Sequence, residues 1–380
     1  MPTPRRAVSS VSLAVLVALL ALAPVADGAR KLPRGLPADL YELLIPADNP
    51  LTDEKVELGR RVYFEKAISA DKSLSCATCH DPAKGFADGK KVAEGIGGKK
   101  GTRNSPTVLN AVFNEFQFWD GRAASLEEQA RGPMVNPIEM GMSDHAAVVA
   151  ALSADSRYRE DFKKVFGRDI NIDDVVAAIA AFERTVVSGD SPADRFLAGD
   201  AAALSEPAKR GLDLWNGKAR CNTCHPFTLA APFGTDNKFH NIGVAAKNRD
   251  FAALAREAAA MDAKTFASLT HREGFAELGR FIVTRQPKDL GAFKTPGVRD
   301  IALTAPYMHD GSEATLMDVV NFYDRGGEPN PYLDGGIVPL KLTEQEKKDL
   351  VAFMESLTGQ GEGSPTRAEL QPPAPSGGSR

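Results

Sequence analysis

The chain has 380 residues, a formal net charge of −4, 43% hydrophobic residues and 25% charged residues. This length allows two domains of ordinary size, and the composition is typical of a soluble protein. Because the chain has no basic excess, we expect no nucleic-acid partner.

The two ends of the chain differ in composition from the rest. Near the start, two arginines precede an apolar run from Val11 to Val25, and small residues follow it. This order predicts a secretory signal peptide, 1–28, since a membrane span needs about 20 apolar residues. An uncleaved membrane anchor is the alternative. At the other end, residues 360–380 are rich in Gly, Pro and Ser, which predicts a disordered tail.

Helix signals stand at both ends of the first half. Residues 51–59 predict a capped helix that leads towards Cys76. Asn171 can cap a second helix, in which apolar residues recur at helical spacing at Val175, Ile179 and Phe182.

The second half repeats this order. Residues 204–211 predict the matching first helix, with Pro207 in its first turn, where proline is tolerated. Thr343 and Glu346 form a capping box for a closing amphipathic helix. The Ala-rich residues 245–275 predict a helical insertion, to which the sequence assigns no function.

All four cysteines lie in two copies of one motif, C-x-x-C-H. This motif is the signature of covalent haem attachment, in which two thiols bind the vinyl groups of one porphyrin and the adjacent histidine ligates the iron. We therefore expect two covalently bound haem c groups. The attachment residues are Cys76, Cys79, Cys221 and Cys224, and the proximal iron ligands are His80 and His225.

Other uses of four cysteines explain less of this pattern. A zinc site would have to join two C-x-x-C pairs that lie 145 residues apart, and would leave both adjacent histidines unexplained. A redox dithiol of the thioredoxin kind needs a βαβ context, which we do not find. Disulfides are common in exported proteins, but they do not account for the repeated spacing.

A capped helix, a haem motif, a loop-rich region and a closing helix are the plan of a small cytochrome c domain. The sequence therefore predicts a mainly α fold with two cytochrome-c-like haem domains in one chain. The N-terminal domain is expected at 29–196 and the C-terminal domain at 197–359.

Several longer segments resemble the bacterial di-haem cytochrome c peroxidase family and, within it, the MauG-like branch. They follow the family's order and extend over most of the chain. These segments are 75–82, 103–110, 118–123, 136–141, 238–243, 293–296 and 303–311. The resemblance implies that the N-terminal haem reduces hydrogen peroxide and that the C-terminal haem relays electrons.

The loop before Arg103 differs from that of many family members, which carry a distal histidine there. Here the loop, 94–102, contains neither histidine nor methionine, the usual haem ligands. The resemblance therefore implies an open N-terminal iron site that reacts with peroxide without prior reduction. The glycines of this loop also suit a flexible loop.

The resemblance also places Gln129, Pro133 and Glu139 in the peroxide pocket. Glu139 is expected to act as acid and base, because burial raises the pKa of a carboxyl towards neutrality. Gln129 would hydrogen-bond the leaving oxygen, and Pro133 would shape the site. Without the surrounding motif, Gln129 and Glu139 would be interpreted as helix-surface residues.

Family members differ in the sixth ligand of the C-terminal haem. It lies 14 residues after the histidine that is His309 here, which leads to Tyr323. Relay peroxidases use methionine at this position, whereas MauG-type proteins use tyrosine. The sequence leaves open a core role for Tyr323 and five other ligands: Met308, Met317, His240, His271 and His309.

Two further roles are implied by the resemblance. Trp119 corresponds to the tryptophan between the two haems, which relays electrons. The side chain of Asn104 and the carbonyls of Thr304 and Pro306 correspond to ligands of one calcium ion, which prefers oxygen donors.

The sequence thus predicts a periplasmic di-haem peroxidase without a stable membrane span after processing. Its expected reductant is a small cytochrome c or cupredoxin. One alternative is a MauG-like enzyme that uses peroxide to modify residues on a partner protein. Another is a pure electron-transfer cytochrome, which the distal residues disfavour.

Replacing Cys76 or Cys221 with alanine tests the haem assignment. Because each thiol pair serves one haem, either variant should lower the covalent haem content from two groups per chain to one. A pyridine haemochrome assay measures this content. Two covalent haems in both variants would contradict the assignment.

Overall fold

The computed structural model describes residues 31–247 and 249–360. The predicted signal peptide, 1–28, lies outside these residues, as does the predicted tail beyond Gln360. The described chain is mainly helical, as predicted, and two short antiparallel strands pair within it. The helices are α1 (Ala38–Leu43), α2 (Asp53–Phe64), α3 (Cys76–Cys79), α4 (Leu126–Val135), α5 (His145–Ser153), α6 (Ser156–Phe166), α7 (Ile172–Arg184), α8 (Pro192–Leu197), α9 (Glu206–Asn216), α10 (Phe251–Ala259), α11 (Ala263–Ala267), α12 (Phe281–Thr284), α13 (Leu316–Asp324) and α14 (Glu344–Glu355), and the strands are β1 (Phe239–His240) and β2 (Phe293–Lys294).

Side-chain caps begin the helices that the sequence predicts. Thr52 accepts a hydrogen bond from the backbone N–H of Lys55 at the start of α2, and Asn171 caps α7 in the same way. Thr343 and Glu346 form the predicted capping box of α14. These caps satisfy N–H groups that the first helical turn leaves without a partner, so they define where the helices begin.

Each half contains a pair of crossing helices that meet at a glycine. A Cβ atom on Gly59 of α2 would lie 1.8 Å from the carbonyl oxygen of Ala178 in α7. A Cβ atom on Gly211 of α9 would lie 2.1 Å from the carbonyl oxygen of Asp349 in α14. Both distances are far below contact, so each crossing depends on the absence of a side chain.

The apolar side chains of the described residues form separate cores. One core lies between Leu58 and Val186 and includes the α2–α7 pair. Another lies between Ala193 and Leu357 and includes the α9–α14 pair. This division agrees with two haem domains, whose boundaries stay predictions.

The insertion forms a third core with the residues that follow it. It is helical, as predicted, and consists of α10, α11 and the 3₁₀ turns Val244–Ala246 and Ser268–His271. Its core includes Phe251, Phe266 and Leu278, and Trp119 of the first half packs against it. The insertion therefore makes contact with both halves of the chain.

None of the helices in 31–247 and 249–360 is long and apolar enough to cross a lipid bilayer.

Alanine at either helix crossing should destabilise the fold. The added methyl of Gly59→Ala or Gly211→Ala would push the paired helices apart, which typically costs about 1–3 kcal/mol. Gly132→Ala in α4 is the matched control, since its Cβ would meet the Phe118 ring at an ordinary 3.7 Å. Urea denaturation of the haem-loaded protein measures the difference, and equal midpoints for all three variants would contradict it.

Candidate functional site

The first C-x-x-C-H motif forms a single helical turn. Ser75 and Thr78 cap α3 reciprocally, and the backbone N–H of His80 donates to the carbonyl of Cys76 at 2.9 Å. The His80 Nδ1 atom lies 2.9 Å from the carbonyl oxygen of Pro106. A carbonyl only accepts hydrogen bonds, so Nδ1 carries the proton and Nε2 keeps a lone pair for a metal.

The second motif has the same arrangement. The backbone N–H of His225 donates to the carbonyl of Cys221 at 2.8 Å, and the His225 Nδ1 lies 2.8 Å from the carbonyl oxygen of Gly234. The Trp215 indole N–H donates to the carbonyl of His225 at 2.8 Å. Burial lowers the pKa of His80 and His225, which keeps both rings neutral and suited to ligate iron.

The thiols are placed for attachment rather than for redox catalysis. Burial raises the pKa of Cys79 to about 11 and the pKa of Cys221 to about 12. Neither shift favours the thiolate that a catalytic dithiol needs. Partly buried cysteines beside a ligand-ready histidine therefore fit the donor set of a c-type haem in both motifs.

One group of side chains resembles a metal site. The ligand atoms of Cys224, Asp236 and His240 lie within 4.8 Å of one another. Hydrogen bonds to Cys224, Asp334 and Asp236 raise the pKa of His240 to about 10 despite its burial. Both ring nitrogens of His240 are occupied by carboxylates, Nδ1 at 2.6 Å from Asp334 and Nε2 at 2.9 Å from Asp236, and Cys224 belongs to the haem motif. This group therefore does not support zinc, and it disfavours His240 as an iron ligand.

A cavity beside the second motif contains the sixth-ligand candidates. Tyr323 of α13 lines this cavity together with Cys221, Cys224 and His225. Met308 lines it too, whereas Met317 is not among its lining residues. The structure thus brings Tyr323 to the cavity of the C-terminal haem motif. Of the two methionines proposed from the sequence as the sixth ligand, Met308 also lines this cavity.

A methionine that the sequence reasoning missed also lines this cavity. Met354 of α14 is buried in the core of the second half. Its helical spacing with Leu350 and Leu357 makes it indistinguishable from a core residue in the sequence.

His309 and Trp119 lie together where the two halves meet. The His309 ring stacks on Phe293 with 3.6 Å between ring centroids, and its Nε2 lies 2.8 Å from a carboxylate oxygen of Glu277. These contacts disfavour His309 as an iron ligand. The Trp119 indole N–H donates to the carbonyl of Asn104 at 2.9 Å, and its ring meets His309 edge-on.

The predicted calcium ligands line one large cavity. Asn104, Thr304 and Pro306 all line the cavity that contains the second haem motif. The Asn104 Nδ2 donates to the carbonyl of Lys90 at 2.9 Å, so its Oδ1 is the atom available for a cation. The assignment of these three residues to a calcium ion stays a prediction.

A second cavity contains two of the three predicted peroxide-pocket residues. Pro133 and Glu139 line it, together with Phe118, Arg122 and other side chains. Gln129 lies one helical turn before Pro133 and is half-buried, but it is not among the lining residues. Its role as a hydrogen-bond donor to peroxide stays a prediction.

The electrostatics of this cavity are dominated by Glu139 and Arg122. Burial raises the pKa of Glu139, while the Arg122 charge and a hydrogen bond from Asn136 oppose the rise. Arg122 is held in turn by Asp120, whose carboxylate lies 3.1 Å from its guanidinium, and stacks on Phe118. The Cys79 Sγ lies 3.9 Å from the carbonyl oxygen of Glu94, whose loop bonds the Glu139 carbonyl through the Ile96 N–H, so this pocket lies near the first haem motif.

The glycine-rich loop packs directly on the Glu139 segment. The Ile96 backbone N–H donates to the Glu139 carbonyl at 2.8 Å, and a Cβ atom on Gly95 would lie 1.7 Å from the Ile138 carbonyl oxygen. Gly95 therefore has a packing role, whereas a Cβ atom on Gly97 or Gly98 would meet nothing within 4 Å. The prediction of an open iron site, which rests on the absence of histidine in this loop, stays a prediction.

Two cavity residues were missed by sequence reasoning. Arg122 stands in the segment 118–123, which carries the family resemblance, so that segment was a usable signal. His271 comes from the insertion in the second half and also lines the peroxide cavity. No sequence pattern connects it with Glu139, because 132 residues separate them.

Comparisons with known proteins agree with this geometry. Residues 53–202 match the family model of the di-haem cytochrome c peroxidases. The cytochrome-c peroxidase IdrP1 of Pseudomonas sp. (strain SCT) is 38% identical, over 91% of this chain and 92% of that protein. The methylamine utilization protein MauG of Methylorubrum extorquens is 40% identical, over 83% of this chain and 81% of that protein.

A solved structure is similar over most of the fold. The crystal structure of a MauG-like protein associated with microbial copper homeostasis matches with a TM-score of 0.71 and 35% identity, over 87% of this chain and 94% of that one. A di-haem family accounts for both C-x-x-C-H motifs and their ligand-ready histidines. The chain therefore belongs to the di-haem cytochrome c peroxidase family, which includes MauG, and is an oxidoreductase with two c-type haems.

Proposed function

We propose that this enzyme reduces hydrogen peroxide at its N-terminal haem site with electrons that enter through its C-terminal haem site. The observation that carries this proposal is the cavity that half-buried Glu139 lines together with Arg122 beside the first haem motif. A pure electron-transfer cytochrome has no use for a buried acid–base group of this kind.

The side chains of the two motifs would hold the haems. Cys76, Cys79 and His80 serve the N-terminal group, and the second motif serves the C-terminal group with Tyr323 as its proposed sixth ligand. Bound haem would supply an iron that coordinates peroxide and accepts its oxidising equivalents.

Glu139 would move the proton that O–O cleavage requires. Its carboxylate takes a proton from one oxygen of peroxide and returns it to the other, which then leaves as water. Burial brings the pKa of Glu139 closer to neutrality, so the group both accepts and releases the proton readily. The positive charge of Arg122 opposes the effect of burial and favours the ionised carboxyl, and it would stabilise charge that develops on the leaving oxygen.

Trp119 supports an electron route between the halves. Its indole N–H is bonded to the Asn104 carbonyl, and the Pro106 carbonyl two residues later is bonded to His80. The short segment 104–106 thus links Trp119, at the cavity of the second motif, with the proximal histidine of the first. We propose a small cytochrome c or cupredoxin as the reductant.

We also propose one calcium ion at Asn104, Thr304 and Pro306. These residues join the 104–106 segment to the loop of the second half, so the ion would keep the electron route aligned. The apolar run from Val11 to Val25 supports export to the periplasm, which is also where c-type haem proteins meet small redox partners.

A MauG-like oxidase is the second candidate function. The observation that favours it is Tyr323 in the cavity of the second motif, since a phenolate is a hard anionic donor that stabilises oxidised iron. An enzyme with such a ligand can store oxidising equivalents from peroxide and use them on a partner protein.

Glu139→Gln tests the peroxidase proposal. Removing the acid–base group should slow the reaction of the ferric protein with peroxide by roughly 10²–10⁴-fold, while haem content stays the same. Glu128→Gln is the matched control, because Glu128 lines the same cavity but is exposed and bonded to the backbone of Ala124. Stopped-flow spectroscopy without pre-reduction measures both rates. Equal rates in wild type and Glu139→Gln would exclude Glu139 from the mechanism.

Tyr323→Met separates the two candidate functions. Thioether ligation raises the reduction potential of haem iron, so the variant should titrate at a higher potential than wild type and behave like a relay peroxidase. Tyr307→Phe is the control, since Tyr307 lines the same cavity but its hydroxyl donates to the Ile301 carbonyl.

A redox titration followed by optical spectroscopy measures this difference. A wild-type C-terminal haem that already has a high potential and the red absorption band of methionine ligation would identify a methionine of this cavity, Met308 or Met354, as the ligand. The MauG-like function would then fail, and an ordinary relay peroxidase would remain.

A further inference from the structure

The peroxide cavity receives a side chain from the second half of the chain. His271 ends the 3₁₀ turn Ser268–His271 of the insertion and lines the cavity with Glu139. Two hydrogen bonds attach this segment to the first half. The Thr102 hydroxyl donates to the Thr270 carbonyl at 2.9 Å, and Arg103 donates to the Ala276 carbonyl at 2.8 Å.

Asn136 connects His271 with Glu139. Its Oδ1 accepts the backbone N–H of Ile138 at 3.0 Å, which identifies Nδ2 as the side facing His271. Nδ2 lies 3.3 Å from Nδ1 and 3.4 Å from Nε2 of the His271 ring. The same side chain lines the cavity wall with the Glu139 carboxyl and lowers the pKa of Glu139. An amide Nδ2 carries two hydrogens, so it can donate to both neighbours at once.

This arrangement requires a neutral His271, because a protonated ring has no acceptor nitrogen. Burial lowers the pKa of His271 to about 4, and the positive charges of Arg122 and Arg103 contribute, against the opposing charge of Asp120. At neutral pH the ring is therefore uncharged and offers Asn136 a lone pair.

We propose that His271 is a positioning residue for Glu139: it holds the Asn136 amide in the orientation that donates a hydrogen bond to the Glu139 carboxylate. This inference rests on the proposed peroxidase function and deepens it. The second half of the chain thereby adjusts the acid–base group of the first. The insertion, to which the sequence assigns no role, completes the peroxide pocket.

The proposal has a defined consequence for pH dependence. Without His271 the Asn136 amide keeps its bond from the Ile138 N–H but loses the partner of its Nδ2, so its donation to the Glu139 carboxylate, which favours the charged form, weakens. The pKa of Glu139 then rises. Because the reaction needs ionised Glu139, the acid limb of the rate profile should move to higher pH by about half to one unit, the usual worth of one hydrogen bond.

Other charged groups near Glu139 stay the same in this comparison. They are Arg122 and Glu128 on the cavity wall, Asp120 and Arg103 behind Arg122, and Lys99, which bonds the Pro137 carbonyl. Removing the neutral His271 changes none of their charges, so a shift of the profile reports the loss of the Asn136 hydrogen bond.

The experiment compares haem-loaded wild type, His271→Ala and His271→Gln, with His145→Ala as control. His145 begins α5, and its Nε2 lies 3.1 Å from the Arg131 carbonyl, outside the cavity. Two pH profiles are measured on the ferric protein. One is the rate of reaction with peroxide. The other is the rate of cyanide binding, in which HCN gives its proton to a base in the pocket and no catalytic turnover takes place.

The acid limbs of both profiles should shift to higher pH in His271→Ala and should not shift in His145→Ala. The shift should be smaller in His271→Gln, because its amide oxygen still accepts a hydrogen bond from Asn136.

A lower plateau rate with an unshifted profile would show a merely structural role and overturn the proposal. Electron paramagnetic resonance spectra guard against a ligand role: a change of the N-terminal haem from low spin to high spin in His271→Ala would also overturn it. Thermal melts identify variants that fail to fold, and the Gln variant then carries the test. Unchanged profiles in Glu139→Gln would instead refute the proposed function itself.

Discussion

The site depends on the ion pairs that the buried carboxylate of Asp120 forms with arginines. Arg103 binds it at 2.7 Å, Arg122 at 3.1 Å, and Arg280 donates to the backbone carbonyls of Asp120 and Gly121. Burial alone would raise the pKa of Asp120, but the two guanidinium groups outweigh it and hold the pKa below its ordinary value. A buried charge of this kind is tolerable only when it is fully paired, so the three arginines are fixed in position.

Each of these arginines organises a different part of the molecule. Arg122 faces Glu139 in the peroxide cavity, and Arg103 holds the Ala276 carbonyl of the second half. Arg103 also precedes Asn104, where the segment that connects Trp119 with His80 begins. One carboxylate thus joins the peroxide pocket, the contact between the halves and the proposed electron route. Residues near both proposed reaction sites are therefore held by the ion pairs of Asp120.

The two halves of the chain share a plan but differ in detail where chemistry is expected. In both, a glycine lets two helices cross closely, and a proximal histidine donates its Nδ1 proton to a backbone carbonyl. The first half adds an acid–base cavity, whereas the second adds Tyr323 and the insertion. A duplicated scaffold therefore provides one site for the proposed peroxide reaction and one for the proposed transfer of electrons.

The sequence by itself determined the cofactor motifs, the helix starts and the mainly α class. These depend on residues close together in the chain: C-x-x-C-H is contiguous, and caps such as Asn171 act within a single turn. The family resemblance added Pro133 and Glu139, which lie close together in the sequence and line the same cavity.

Only the tertiary structure decided which distant groups meet. His271 lines the cavity with Glu139, which lies 132 residues earlier in the chain. The Nδ1 atom of His240 is occupied by the carboxylate of Asp334, 94 residues away, which disfavours His240 as an iron ligand. Such contacts follow from how the insertion packs on both halves, and no local periodicity or propensity records that packing.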